Sequence, residues 1–367
     1  MSLPDPAVRS PIRSVTHGDA PDACRRGLLA MMGGLALGLP WPGSAATPSR
    51  SASRMQAYDL VIEHRSVPAD GPRGHGWCFG LPPGITPAQW PLDPTNGYPL
   101  SHGFTLLLPP EYRVRGADLV ALSFFGIAPD HNDGGPAEVA EVKAFYDSWR
   151  DGMDVPADPE LLPFWRAQQS AHPHLHRMRD LLGCPYAVIF HTQASFEGEF
   201  CEPPALEPNR YRDRLRAPAW MNVGSAAAFW GYDHALSPPI DQGFYREIIG
   251  EDPGRTPGYN RAIAWSPRRT DPNAGLAPLE DPPAGEGQYQ REFYWEGGQV
   301  AREHYREHAW ARDLKPNHIG GTMRPAQAIP DGISPYYIEF EETFGGYNFG
   351  TGNAWLDLQH LTFDWSQ

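Results

Sequence analysis

Strand-forming runs stand at both ends of this chain, and helical periodicity falls only between them. Tyr58 to His64 alternates apolar and polar side chains, the period of two that buries one face of a strand. Phe104 to Leu108 and Leu119 to Ile127 are more continuously apolar and read as strands covered on both faces. From Pro136 the period changes: Val139, Val142, Phe145, Tyr146 and Trp149 recur at spacings of three and four, the stripe of an amphipathic helix with Pro136 suited to its first turn. Pro159 to Leu182 is expected to form a second helix, broken near Pro173 and stopped by Gly183. Tyr186 to Thr192 reads as an inner strand, residues 202–298 as a loop-rich middle, and Gln299 to Leu314 as a helix. Tyr336 to Glu341 and Ala354 to Leu361 supply two closing strands. The order calls for an α+β fold with mostly antiparallel sheets and helices inserted between.

Charge and composition divide the chain near residue 55. Residues 1–54 hold six arginines against three aspartates, so the total of −14 leaves −17 on the body 55–367. Such a surface repels polyphosphates, and no Lys/Arg-rich run offsets it, which argues against a nucleic-acid partner. The 12% aromatic content supports a folded, soluble body despite 41 prolines and 38 glycines. Before it, Arg25-Arg26 precedes an uncharged stretch, Gly27 to Leu39, and then Ser44-Ala45-Ala46, the layout of a twin-arginine export signal cleaved after Ala46. That stretch is too short for a transmembrane anchor, which needs ~20 residues. The expected location is periplasmic or secreted; the alternative is a cytoplasmic protein whose translation starts at Met55, with 1–54 a mis-assigned upstream extension.

The motifs that carry chemistry are few. The segment His304-Tyr305-Arg306-Glu307-His308 has the His-x-x-Glu-His order of inverted zinc peptidases. On a helix His304 and His308 would lie one turn apart and share a zinc ion while Glu307 activates water, with Glu339, Glu341 or Glu342 as a further ligand. The mixed charge around it equally describes a solvated helix face. His172, His174 and His176 alternate around Pro173 and would share a side only in an extended chain; Asp130 to Gly135 forms an acidic turn without the ligand register of an EF-hand. Serine-nucleophile elbows, phosphate-binding glycine loops and dinucleotide fingerprints are missing from the sequence. Cys184 and Cys201 are candidates for a disulfide in an oxidising compartment, and buried thiols are the alternative for all of Cys78, Cys184 and Cys201.

Two distant segments look alike. The first runs Phe79-Gly80-Leu81-Pro82, Trp90-Pro91, Gly97-Tyr98-Pro99-Leu100, then Gly103-Phe104 entering a strand. The second runs His318-Ile319-Gly320-Gly321 with Gln327 beyond, a strand at Tyr337 to Glu341, then Gly346-Tyr347-Asn348-Phe349-Gly350-Thr351-Gly352. Order and spacing resemble the YwqG-like family of bacterial proteins of uncharacterised function, over two patches of the body. The resemblance implies two related β-rich halves and makes a binding or immunity-like role an expectation. The family's late Asp after the second glycine is Thr351 here, which puts any role of that carboxylate in doubt. Between the patches, aromatic residues from Trp220 to Trp295 recur beside Pro, Gly and acid, a composition that either fills a core or stacks on sugars and protein partners. The combined reading is a non-catalytic binding module for a protein or envelope-glycan ligand, without a cofactor. Its rival is the zinc-dependent hydrolase through His304, Glu307 and His308.

Overall fold

A computed structural model of the chain describes residues 55–367 apart from 133, 225 and 233–238. The leader residues Arg25, Arg26 and Ala46 therefore lie outside the described residues. The described ones belong to one compact unit, Ser53–Gln367. In chain order they form β1 (Tyr58–Ile62), β2 (Gly76–Phe79), β3 (Ser101–Leu107), β4 (Leu119–Gly126), α1 (Ala140–Asp147), α2 (Leu162–Gln169), β5 (Leu175–Arg179) and β6 (Pro185–Thr192). Next come α3 (Gln193–Phe196), α4 (Ala219–Val223), α5 (Ala226–Tyr232), α6 (Pro239–Ile249), β7 (Asn260–Pro267), β8 (Phe293–Trp295) and β9 (Tyr305–Glu307). The last four strands are β10 (His318–Ile319), β11 (Tyr337–Glu341), β12 (Asn353–Asp357) and β13 (Thr362–Ser366).

Eleven of the described strands make one antiparallel sheet in the order β13-β12-β11-β10-β1-β7-β2-β3-β4-β6-β5, so the fold is α+β with antiparallel pairing. Its two edges approach each other. Trp365 Nε1 in β13 donates to Asp180 Oδ2 just beyond β5 at 2.8 Å, the Leu181 amide donates to Asp364 Oδ1 at 3.3 Å, and the Phe363 and Tyr186 rings lie 4.0 Å apart. The sheet thus curls into a near-barrel and covers edges that would otherwise invite pairing with other chains. Cross-strand register puts Phe104 opposite Phe124 and Phe124 opposite Val188 on the inner face. There Phe124 meets the rings of Phe104, Phe340, Tyr347 and Phe363 at 5.2–5.4 Å. The early and late glycine patches meet in this core: a Cβ on Gly103 would fall 1.8 Å from Tyr347 Oη, and one on Gly126 2.5 Å from Tyr347 Cε1. These glycines are required because an aromatic ring occupies the space of their missing side chains.

Several expectations are corrected. The helix over 299–314 does not form; short 3-10 turns and β9 occupy its first half. An isolated helix draws its stability from burying an apolar stripe, and this segment, of mixed charge, has none to bury. The second helix is only α2, because residues 175–179 pair in register with β6, Leu175 opposite Ile189. Ala354 to Leu361 is not one strand: Asp357 Oδ1 accepts from the amides of Gln359 and His360 at 2.8 and 2.9 Å, turning the chain into β13. The loop-rich middle holds α4, α5, α6 and the central strand β7. Cys78, Cys184 and Cys201 are buried free thiols; Cys184 Sγ donates to Asn132 Oδ1 at 3.0 Å and Cys201 Sγ to the Glu202 carbonyl at 3.2 Å.

Candidate functional site

The middle-region aromatics mostly fill the core: Trp220, Trp230, Tyr245 and Tyr289 are buried. The exceptions are Phe244 on α6, 49% exposed, and the β8–β9 hairpin, a two-stranded sheet separate from the large one. Its register sets Phe293 opposite Glu307, Tyr294 opposite Arg306 and Trp295 opposite Tyr305. Alternation therefore gathers Phe293, Trp295 and Tyr305 on one face, with centroids 5.0–5.7 Å apart. On the other face Tyr294 lies 4.8 Å from His308, which stacks on Trp310 at 5.4 Å and 16°. Tyr294 and Tyr305 remain 46% and 41% exposed, and Val300 in the connecting loop 79%. Gly297 and Gly298, both at positive φ, turn the chain between the strands.

A hairpin this short is marginal alone, and the body holds it at its base. The His308 amide donates to the Glu292 carbonyl at 2.9 Å, and Arg324 Nη2 pairs with Glu307 Oε1 at 3.0 Å. Near the tip, Arg306 pairs with Glu296 at 2.6 Å. The sequence-predicted metal residues thus sit on this element in different roles. His304 ends a 3-10 turn, Glu307 is an ion-pair partner, and His308 is part of a ring stack. The one-turn spacing of a helix is lost with the helix, and among the described residues no group of three His, Cys, Asp or Glu side chains is positioned to hold a metal ion. Of the proposed further ligands, Glu339 is committed elsewhere, and Glu341 and Glu342 are both half-buried in the main body.

The other motifs are structural. His172 Nδ1 accepts the His174 amide at 3.2 Å in the turn that enters β5, and the His172 ring lies 6.3 Å from that of His191. Asp130 Oδ2 accepts the Ala219 amide at 2.9 Å, and His131 Nε2 contacts the Arg216 carbonyl at 2.9 Å, so the acidic turn latches the start of α4.

Two buried polar constellations escaped sequence reading, since their members are scattered through the chain. His102 Nδ1 faces the Gly80 carbonyl at 3.1 Å, which requires the proton on that nitrogen and leaves Nε2 to accept from Thr105. Direction then propagates: Ser123 donates to Thr105 at 2.7 Å, His191 Nε2 to Ser123 at 2.8 Å, and Ser195 to His191 Nδ1 at 2.9 Å. This relay ties β3, β4, β6 and α3 together, and burial pushes both histidines down to about 3. In the second, His318 Nδ1 lies 2.9 Å from the Gly320 carbonyl, so the unprotonated Nε2 accepts a hydrogen bond from the protonated Glu339 Oε2 at 2.6 Å. Burial raises Glu339 to about 8 and pulls His318 well down, and both side chains are fully enclosed. The pair is neutral, and Glu339 also accepts from the Arg324 amide at 2.8 Å and the Asn353 amide group at 2.5 Å.

Comparison of the chain with protein-family models, with curated proteins and with solved structures finds no match. No helix among the described residues is long and apolar enough to cross a membrane.

Proposed function

We propose that the body is a non-catalytic binding module that takes an envelope glycan on the β8–β9 hairpin. One observation carries this reading: Tyr294 and Tyr305 stay exposed on the two faces of a separate aromatic hairpin while most other rings of the middle region, Phe244 apart, pack inward. Aromatic faces stack on the apolar faces of sugar rings, and the flanking Arg306–Glu296 pair supplies hydrogen-bonding groups for hydroxyls. A glycan is favoured over a protein partner because the exposed side chains are rings and ionic groups with a single large aliphatic, Val300. The rival, a zinc-dependent hydrolase through His304, Glu307 and His308, would need those three groups to leave their present partners and converge.

The same reading takes the two glycine patches as equivalent parts of two related halves of a YwqG-like body. Its support is that β2-β3-β4 and β10-β11-β12 run outward on opposite sides of the β1–β7 pair. It also takes Arg25-Arg26 to Ala46 as an export signal, so that the module works in the periplasm; N-terminal sequencing of the protein from that fraction should begin just after Ala46.

The experiment is co-sedimentation of the full chain with insoluble cell-wall glycan. A variant with Tyr294→Ala and Tyr305→Ala should lose about 5-fold or more in retention, from ~0.5–1.5 kcal/mol per stacked ring. Equal retention of the variant refutes the hairpin as the seat. Failure to bind glycan, with a discrete protein from envelope extract retained by the wild type and lost in the variant, moves the ligand to the protein class.

A further inference from the structure

We infer that a second site lies away from the hairpin, in the cleft under Trp90, and that it takes a small monocarboxylic acid with an apolar body. The cleft, about 250 Å³, opens between the turn at Pro87, helix α2 and the chain near Leu206. That is below the ~300–1,000 Å³ of drug-sized sites, so the occupant is small. Its walls include Trp90, Leu92, Pro163, Ala167 and Leu206, which favour an apolar body.

The polar end is set by arginine. Arg212 lines the cleft with its side chain only 5% exposed. Its Nη2 donates to the Glu207 carbonyl, and its guanidinium lies 5.5 Å over the Tyr98 ring. Its Nε is buried and makes no hydrogen bond; its charged contact is an ion pair with Asp213 Oδ1 at 3.4 Å, on a side chain 47% exposed. A buried cationic N–H without an acceptor is costly, and a ligand oxygen would relieve that cost. Exposed Arg166 is also in the lining, and among the described residues it has no ion-pair partner. Within the lining two guanidinium groups stand against one acid, Glu207 at the rim, on a body of charge −17; Asp213, the ion-pair partner of Arg212, lies outside the lining. One buried guanidinium with one at the rim matches a single carboxylate in charge; a polyphosphate would meet the repulsion of the surrounding surface.

Two sources share this chemistry, a free aliphatic acid and the C-terminus of an apolar peptide. The test is calorimetric titration of the full chain with octanoate, N-acetyl-leucyl-leucine and octan-1-ol, with intrinsic tryptophan fluorescence as a second readout. At least one acid should bind, the tighter of the two naming the source, and octan-1-ol should bind at least 10-fold more weakly than octanoate if octanoate is the ligand. Arg212→Met should weaken binding about 10- to 100-fold, the span of a charge-assisted hydrogen bond. Since Arg212 also supports its own loop, Ala205→Phe, which fills the cleft from an exposed lining position, and Arg166→Gln at the rim provide tests with less risk to folding. The first should abolish binding and the second weaken it several-fold. Binding of neither acid at millimolar concentration, alcohol binding equal to acid binding, or binding unchanged in Ala205→Phe overturns the assignment.

Discussion

Replacing Glu339 by glutamine isolates a strongly perturbed, fully buried carboxyl group. Glu339 is fully buried, and its pKa rises from the ordinary value near 4.5 to about 8 through burial. The folded state therefore holds a proton that the unfolded chain releases above 4.5. The stabilisation due to that proton is complete below pH 4.5 and disappears as pH rises to 8. A glutamine side chain does not titrate, so the stability of wild type relative to Glu339→Gln should fall between pH 5 and 8. The slope should approach about 1.4 kcal/mol per pH unit, since a single proton is at stake. Urea denaturation of both proteins at pH 5, 6, 7 and 8 measures it, and taking the difference cancels the other titrating groups, His318 included if its own pKa is unmoved. A constant difference refutes the reasoning. A difference that stays level to about pH 6.5 and falls only above it would mean that Glu339 is ionised in the fold and that the proton sits on His318.

Three further outcomes are expected. His102 and His191 are pushed down to about 3, so their contribution is present above 6.5 and is lost as pH falls toward 3; wild-type stability should drop by about 1.4 kcal/mol per pH unit for each below pH 6, and His191→Gln should shallow the slope. Gly103→Ala should destabilise by at least the ~1–3 kcal/mol of core overpacking, because its Cβ falls 1.8 Å from Tyr347 Oη; a variant melting at the wild-type temperature would mean that Tyr347 has another place to go. His304→Ala should leave zinc uptake by chelator-free protein unchanged, and a loss of about one zinc per chain by elemental analysis would restore the hydrolase reading.

The legible parts of the fold were those whose pattern and local environment agree. Leu119 to Ile127 and Tyr186 to Phe190 are apolar apart from Ser123 because β4 and β6 are buried on both faces. The α1 stripe likewise matches the burial of Val142, Phe145 and Tyr146. Strand β7 was not legible: buried Asn260 and Arg261 open it, satisfied by the backbone carbonyls of Val67, far away in the chain, and of Ile249 at the end of α6, pairings that sequence does not reveal. The hairpin was missed because the rings of Phe293 and Trp295 find their partner, Tyr305, across a turn, and this pairing overrode the helical appearance of the charged segment. Arg212 of the cleft had no signal of its own, being one of many arginines until the fold buried it.

The strand order also sets when the protein can fold. Strand β1 sits between β7 and β10, with Ile62 opposite Ile263 and Tyr58 opposite Ile319, and β13, near residue 366, meets the edge at β5. During synthesis β2 to β6 can pair soon after they emerge, but the free edge of β2 awaits β7. Closing loops of that length is entropically slow, and a sheet dominated by such distant pairings folds late. The nascent chain therefore spends most of its synthesis with one sheet edge open, and the interval before residues 260–267 arrive is when a holding chaperone would matter most.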